Sequence, residues 1–313
     1  MSRLVLTSLL LSLLPLSLAQ TAEFAVAYPA PEAGNRRVEV VFADVPVGDN
    51  SAGLRLAYGD ELGLGVRMRQ AGSLATIGNL IASLAADANS AGRFAVAFTA
   101  RGVLGPAAVR LRASVYDGGP PLAPLAEGDF SELPLLGQGP AVMGLEAGVS
   151  YRVSRALIVD VAPGVYLRSG ELGLSLTGEA RLVRLHGSND LSLLLSSFTQ
   201  PGFDRTTLAL GAAYTINRRR APSWELAAWL GLGPDGLAPG AVLHGGERFG
   251  AGELDLLAAA EPYRIDAWPY RLQLGYERDV GVGDLEVGAM AGLEPRSGWR
   301  AGGRLAYRIP FEP

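Results

Sequence analysis

Apolar and polar residues alternate one by one along most of this chain, and a period of two leaves few possible folds. Within residues 171–183, Leu172, Leu174, Leu176 and Leu182 occupy alternate positions, with small or charged residues between most of them. Successive side chains of a β-strand point to opposite faces of a sheet, whereas the pattern of a helix repeats every ~3.6 residues. The alternation therefore predicts strands that have one apolar face and one polar face.

The same pattern returns in segment after segment from residue 141 onward, including 143–153, 206–217, 268–278 and 285–293. Turn-forming pairs such as Ser169-Gly170 and Pro234-Asp235 separate the segments. Short connections of this kind join antiparallel neighbours. We therefore expect an all-β, up-and-down meander without βαβ units.

The predicted strands are about twice as long as the ~5–6 residues usual in globular sheets, and they match the ~9–11 residues with which a tilted strand crosses a bilayer. An unpaired backbone group in hydrocarbon costs several kcal/mol, so a sheet in lipid has to close on itself. We expect one antiparallel transmembrane β-barrel of about 14 strands, between roughly 12 and 16, because bacterial barrels favour even numbers. A soluble, exported β-sandwich alternates in the same way and is the alternative fold.

One segment near the N-terminus has a different spacing. After Ser73, a plausible N-cap, apolar residues recur at the spacing of a helix: Leu74, Ile77, Ile81 and Leu84. This pattern predicts a short amphipathic helix over residues 73–86, in the barrel interior or at its rim. An irregular pair of strands is the alternative.

The longest stretch without alternation, residues 117–140, contains five prolines and is predicted to be a loop. If the last strand descends to the periplasm, counting hairpins backward places this loop on the extracellular side. The same count places residues 217–222 on the periplasmic side.

The N-terminus predicts export. Arg3 precedes a nearly unbroken apolar run, and Ser17-Leu18-Ala19 provides small residues for cleavage, so residues 1–19 are predicted to be a signal peptide and 20–313 a single mature domain. The chain has no cysteine and two histidines, which argues against a metal site, and no cofactor is expected. A net charge of -4 argues against a nucleic-acid partner.

The C-terminal segment resembles the last strand of bacterial outer-membrane β-barrels, in which a polar residue, a glycine and alternating apolar residues lead to an aromatic. Here Arg300, Gly302, Leu305 and Tyr307 follow that order. The resemblance implies location in the outer membrane, contact with its lipid and insertion by the barrel-assembly machinery; association into oligomers stays open. It is a resemblance to a porin-like class and to no specific family.

The polar face of the predicted strands carries arginines and carboxylates, which we expect to line the lumen because an arginine at the bilayer midplane costs about 2–4 kcal/mol. The residues predicted to line it are Arg110, Arg112, Glu146, Arg152, Asp160, Arg168, Glu179, Arg181, Arg271, Glu277, Asp284, Glu286, Arg300, Arg304 and Arg308. Such a lining suits a porin-like channel whose transverse field orients small polar solutes. It also suits a non-conducting anchor whose interior is closed by salt bridges.

A catalytic function is the third hypothesis. The run His186-Gly187-Ser188-Asn189 resembles the His-x-Ser-Asn stretch of outer-membrane phospholipases and lipid A deacylases, which implies His186 as base and Ser188 as nucleophile. A polar cluster between two strands is also typical of an ordinary hairpin turn. We favour the turn, and therefore predict no catalytic residues.

Overall fold

The computed structural model describes residues 21–28, 37–47, 50–59, 62–72, 80–90, 92–117, 141–201, 205–218, 221–264, 269–294 and 298–310. The predicted signal peptide lies outside these ranges, as does most of the proline-rich segment. Within the described ranges, no helix is both long enough and apolar enough to span a membrane.

Strands follow one another along the described chain with short connections between many of them. They are β1 (Thr21–Tyr28), β2 (Arg37–Val47), β3 (Asn50–Gly59), β4 (Leu62–Gly72), β5 (Leu80–Asn89), β6 (Phe94–Leu104), β7 (Ala107–Tyr116), β8 (Val142–Arg152), β9 (Leu157–Arg168), β10 (Glu171–His186), β11 (Asn189–Thr199), β12 (Thr206–Ile216), β13 (Trp224–Gly233), β14 (Gly236–Phe249), β15 (Gly252–Ala260), β16 (Tyr270–Val280), β17 (Gly283–Glu294) and β18 (Gly298–Pro310).

All 18 strands belong to one sheet in which each strand is antiparallel to the next along the chain. Strand β1 pairs with β2 through Phe24↔Val40 and with β18 through Phe24↔Tyr307, so the ladder returns to its start. Every strand therefore has two hydrogen-bonded neighbours. The chain forms a ring of strands, and the alternative of two stacked sheets is wrong.

The predicted number of about 14 strands is too low, because the sheet has 18. One of the additional strands, β5, lies where the sequence analysis predicted a helix. The predicted helix is wrong over residues 80–86, which belong to β5 and pair with β4 and β6; residues 73–79 lie outside the described residues. In β5, Ile81 and Leu84 fall on opposite faces of the sheet, so their three-residue spacing does not indicate one face of a helix.

The two ends of the ring differ in their connections. Strand β1 begins and β18 ends at the same end, which also carries the turn at Gly187–Ser188 and the described residues 217, 218 and 221–223. The connection of residues 117–141 leaves from the opposite end. The relative positions of these two connections are as expected, because an odd number of strands, β8 to β12, separates them.

The two faces of the sheet carry different side chains. On one face the large apolar residues are exposed, among them Leu64, Leu145, Leu193 and Leu210. The other face carries small, polar and charged residues and contains the buried side chains, including the cluster of Tyr116, Val142, Tyr166 and Phe198. Because the second face is the buried one, it is the interior of the ring.

Candidate functional site

The charged residues predicted to line a lumen all share the interior face, as the ladder register shows. Arg112 lies opposite Glu146, Glu179 opposite Asp160, and Asp284 opposite Arg308. The others alternate in step with these along their strands: Arg110, Arg152, Arg168, Arg181, Arg271, Glu277, Glu286, Arg300 and Arg304. For Arg300 the backbone pairing with Gly292 gives the face. Seven of these residues belong to three groups along the wall: Arg110, Glu146, Asp160, Arg271, Glu286, Arg304 and Arg308.

The first group joins β7 to β9 across the strand between them. Arg110 donates to both carboxylate oxygens of Asp160, at 2.9 and 3.3 Å. Its side chain passes over Gly148 of β8, where a Cβ would lie 2.5 Å from Arg110 Cγ. A glycine at this position therefore lets the ion pair cross a whole strand. Nearby, the Tyr166 hydroxyl donates to Glu146.

The second group holds the ring together where the first and last strands meet. Arg304 of β18 donates to Glu23 of β1, and also to Glu286 of β17 at 2.7 Å. Arg308 donates to the other oxygen of Glu23 at 3.2 Å. Arg304 is buried, which excludes most of the water that would screen these charges. The Arg304 guanidinium thus links β18 to both β1 and β17.

A further ion pair of the same kind was missed by the sequence analysis. Arg55 of β3 pairs with Asp87 of β5, and both side chains are buried. They meet above Gly65 of β4, where a Cβ would lie 3.0 Å from Asp87 Cγ and 3.2 Å from Arg55 Nε. Asp87 escaped notice because it follows a segment taken for a helix.

The third group belongs to the connection between β15 and β16, which turns into the interior at residues 261–264. Glu261 is only 3% exposed there. Its carboxylate lies 2.6 Å from Arg271 and 3.5 Å from Arg264. Two arginines therefore compensate the burial of one carboxylate, and the start of the connection is held against the wall.

Tyr263 continues this connection along the wall, and glycines make room for it. A Cβ on Gly231 of β13 would lie 2.5 Å from Tyr263 Cδ2, and one on Gly240 of β14 would lie 2.8 Å from Cε1. The phenol donates to Glu261 at 3.3 Å. Burial, with a smaller effect of Glu261, raises the pKa of this phenol above its ordinary value, so the donor proton is retained. We name residues 261–264 the inner segment.

A cavity of about 310 Å³ lies between the inner segment and the wall. Asp160, Glu179 and Ser196 contribute polar groups, while Leu194 and Trp229 contribute apolar surface. The Trp229 ring lies over Gly211 of β12, where a Cβ would be 2.6 Å from Cε3. The cavity brings together strands β9, β10, β11 and β13, which are remote from residue 261 along the chain.

Charge on the interior face is divided between two sides of the ring. On β3 to β7 the described charged residues are mostly basic: Arg55, Arg67, Arg69, Arg101, Arg110 and Arg112, with Asp87 as the acid. On β13 to β17 they are mostly acidic, with Arg248 and Arg271 as the bases: Glu225, Glu253, Asp255, Glu277, Asp279, Asp284 and Glu286. The two sets lie on opposite sides of the 18-strand ring, so a field runs across the interior.

The run 186–189 forms the hairpin turn between β10 and β11. Gly187 has a φ of 68°, and Ser188 donates to the backbone oxygen of Asn217 at 2.8 Å. Asn217 in turn donates through Nδ2 to the backbone oxygen of Ser188 at 2.7 Å. These contacts join two connections at the end of the ring where β1 begins and β18 ends, and the Ser188 hydroxyl donates to the backbone. In the described part of the chain, no group of three or more His, Cys, Asp or Glu residues is placed to hold a metal ion.

Several residues of the interior were missed by the sequence analysis. Glu23 lies in an alternating run, Ala22 to Val26, that directly follows the predicted cleavage site and could have been recognised as a strand. Glu261 and Tyr263 follow the last alternating residue of β15, and no local pattern separates them from an ordinary loop. The neighbours of Trp229 on both sides are apolar as well, so no alternation shows which face its side chain occupies. Only the strand register assigns it to the interior.

Comparisons with known proteins assign no family, since no family model and no curated protein matches the chain. Among solved structures, a triple mutant of the Rhodopseudomonas blastica porin is similar, with a TM-score of 0.46 and 14% identity over 93% of this chain and 98% of that chain. A bacterial polysaccharide outer membrane secretin is similar with a TM-score of 0.46 and 10% identity, over 94% of this chain and 99% of that chain. Similarities this distant do not decide what the chain does.

Proposed function

We propose that this chain is a bacterial outer-membrane β-barrel that passes small polar solutes through its interior, as a porin-like channel. The observation that carries the proposal is the opposite character of the two faces. Large apolar side chains are exposed around the outside, whereas the charged side chains of the strands lie predominantly inside. A water-soluble protein of this size would have the reverse arrangement.

The outside surface is suited to lipid. Monomeric soluble proteins rarely expose apolar patches larger than a few hundred Å², because such patches associate in water. Here exposed leucines and valines continue from strand to strand, for example Val66 on β4, Leu145 on β8 and Leu210 on β12. Acyl chains would cover that surface, and the closed ladder leaves no strand edge unpaired in hydrocarbon.

The proposed orientation follows from the ends of the ring. With the start of β1 and the end of β18 facing the periplasm, residues 117–140 lie outside the cell and residues 217–222 lie on the periplasmic side. The signal peptide directs export, and β18 presents the terminal-strand pattern through which the barrel-assembly machinery inserts such chains. Lipid and this machinery are the proposed partners; solutes pass through the interior.

A non-conducting anchor is the second candidate, and it has specific support. The interior contains ion pairs, and the inner segment occupies space beside the wall. Both features narrow the interior. Conductance of the purified, refolded chain in a planar bilayer separates the two candidates: stable unit steps support the channel, and a correctly folded but silent barrel supports the anchor.

Selectivity tests whether the interior carries the current. Arg69 and Arg101 are exposed on the interior face, while Arg278 is exposed on the outer face of β16. Arg69→Glu and Arg101→Glu should shift the reversal potential in a salt gradient toward cation preference, and Arg278→Glu, which changes the net charge equally, should not. Equal shifts in all three variants would contradict conduction through this interior.

A further inference from the structure

We propose that the cavity between the inner segment and the wall is a binding site for a small, neutral polyhydroxyl compound of the size of a monosaccharide. The inference rests on the proposed function, because a solute reaches the cavity through a water-filled interior. It goes further by naming where the solute binds and which chemistry is recognised.

The charges around the cavity favour a neutral ligand. Each carboxylate that borders it has a guanidinium close by: Asp160 has Arg110 at 2.9 Å, and Glu261 has Arg271 at 2.6 Å. Glu179 accepts from Ser192 at 2.6 Å and lies 3.8 Å from Arg181 Nε. Positive and negative charge are therefore nearly balanced, and neither a cation nor an anion would gain a net attraction.

Balanced charge still leaves hydrogen-bonding capacity. An ionised carboxylate has about four lone-pair directions, so Asp160 and Glu179 retain acceptor positions beyond the contacts they make. Ser196 and Thr177 add hydroxyls that donate and accept. A ligand with several hydroxyl groups matches a wall that presents both donors and acceptors within a few ångströms.

The apolar part of the cavity selects the shape of the ligand. The Trp229 ring lies over Gly211, and Leu194 is on the interior face of β11 beside it. Ligand sites combine apolar and aromatic surface with a few placed polar groups, and volumes of about 300 Å³ and above are usual for them. A sugar ring has a C–H face for the aromatic surface and an edge of hydroxyls for the polar groups.

The inner segment makes the site rigid. Glu261 is held by Arg271, and the Tyr263 ring occupies the space left by Gly231 and Gly240. One wall of the cavity is therefore built in before a ligand arrives, which lowers the entropy lost on binding. Trp229 and Glu179 are the specificity-determining residues of the site.

The test is an equilibrium calorimetric titration of the full refolded chain in detergent with D-glucose. We expect saturable binding, at least tenfold weaker in Trp229→Ala and in Glu179→Gln and unchanged in Trp299→Ala, whose ring is 74% exposed on the outer face. Trp229→Leu, which also removes the aromatic surface and keeps a large apolar side chain, replaces Trp229→Ala if that variant does not fold. Absence of saturable glucose binding, equal binding by all variants, or tighter binding of inorganic phosphate or arginine than of glucose would overturn the proposal.

The titration does not depend on conduction, so the two proposals fail separately. Glucose binding by a barrel that is silent in bilayers would contradict the channel and keep the site. Conductance steps that glucose neither interrupts nor slows, in a chain that does not bind it, would contradict the site and keep the channel.

Discussion

Glu23 and Arg304 form an ion pair although 281 positions separate them in the sequence. The pair joins the first strand to the last, and it lies on the interior face, where Arg304 is buried. Backbone hydrogen bonds alone would close the ring in many registers. A buried charge on each strand favours the one register in which both charges are compensated.

Loss of this ion pair should destabilise the barrel. Arg304→Leu leaves Glu23 with Arg308 and removes the 2.7 Å contact of Glu286, so we expect a loss of about 3 kcal/mol in the free energy of unfolding. Urea unfolding in detergent micelles measures it. Arg101→Leu, an exposed position on the same face, is the control, with an expected change within about 0.5 kcal/mol. Equal stability of the two variants would show that the pair does not hold the seam.

A methyl group at Gly65 should disturb the buried pair of Arg55 and Asp87. A Cβ there meets both side chains, whereas a Cβ at Gly72, on the same strand, meets no atom within 4 Å. We expect Gly65→Ala to lower stability by about 1–3 kcal/mol through overpacking. Gly72→Ala should change it by no more than about 0.5 kcal/mol. The reverse order of the two variants in thermal unfolding would refute the role of the glycine.

Arginine on the outer face should be costly only if that face contacts lipid. Leu210 lies in the middle of β12 and is 61% exposed, and Leu237 lies beside a turn and is 66% exposed. In a membrane, Leu210→Arg costs about 2–4 kcal/mol and Leu237→Arg about 0–1 kcal/mol. Unfolding measured in lipid vesicles gives the difference. In a water-soluble protein both substitutions would be nearly neutral, and that result would contradict the membrane assignment.

Removal of the Ser188 hydroxyl should affect a turn and no reaction. Ser188→Ala deletes the donor to the Asn217 carbonyl, so we expect a loss of about 0.5–1.5 kcal/mol in stability and unchanged conductance. Hydrolysis of a phospholipid substrate is measured on the same preparations. Activity in the parent chain that disappears in this variant would establish the acyl-hydrolase hypothesis in place of the turn.

Long alternating segments were predictable because their information is local. In β10 and β16 the immediate neighbours of a residue indicate which face of the sheet its side chain occupies, and Gly-containing turns indicate the hairpins. Residues 80–86 were misread for a related reason. Alanines surround Ile81 and Leu84, so the few large apolar residues there suggested a helix, and only pairing with β4 and β6 makes residues 80–86 a strand.

The sequence by itself determined an all-β meander in which most arginines and carboxylates of the strands share one face, because alternation along a strand is a property of consecutive residues. Tertiary structure decided the number of strands in the ring, the Glu23–Arg304 seam, the ion pairs that cross Gly65 and Gly148, and the inward course of residues 261–264. These depend on residues that are distant in the chain and meet only when the sheet closes. Strand register and the space left by glycines determine which residues make these contacts. No local sequence pattern contains that information.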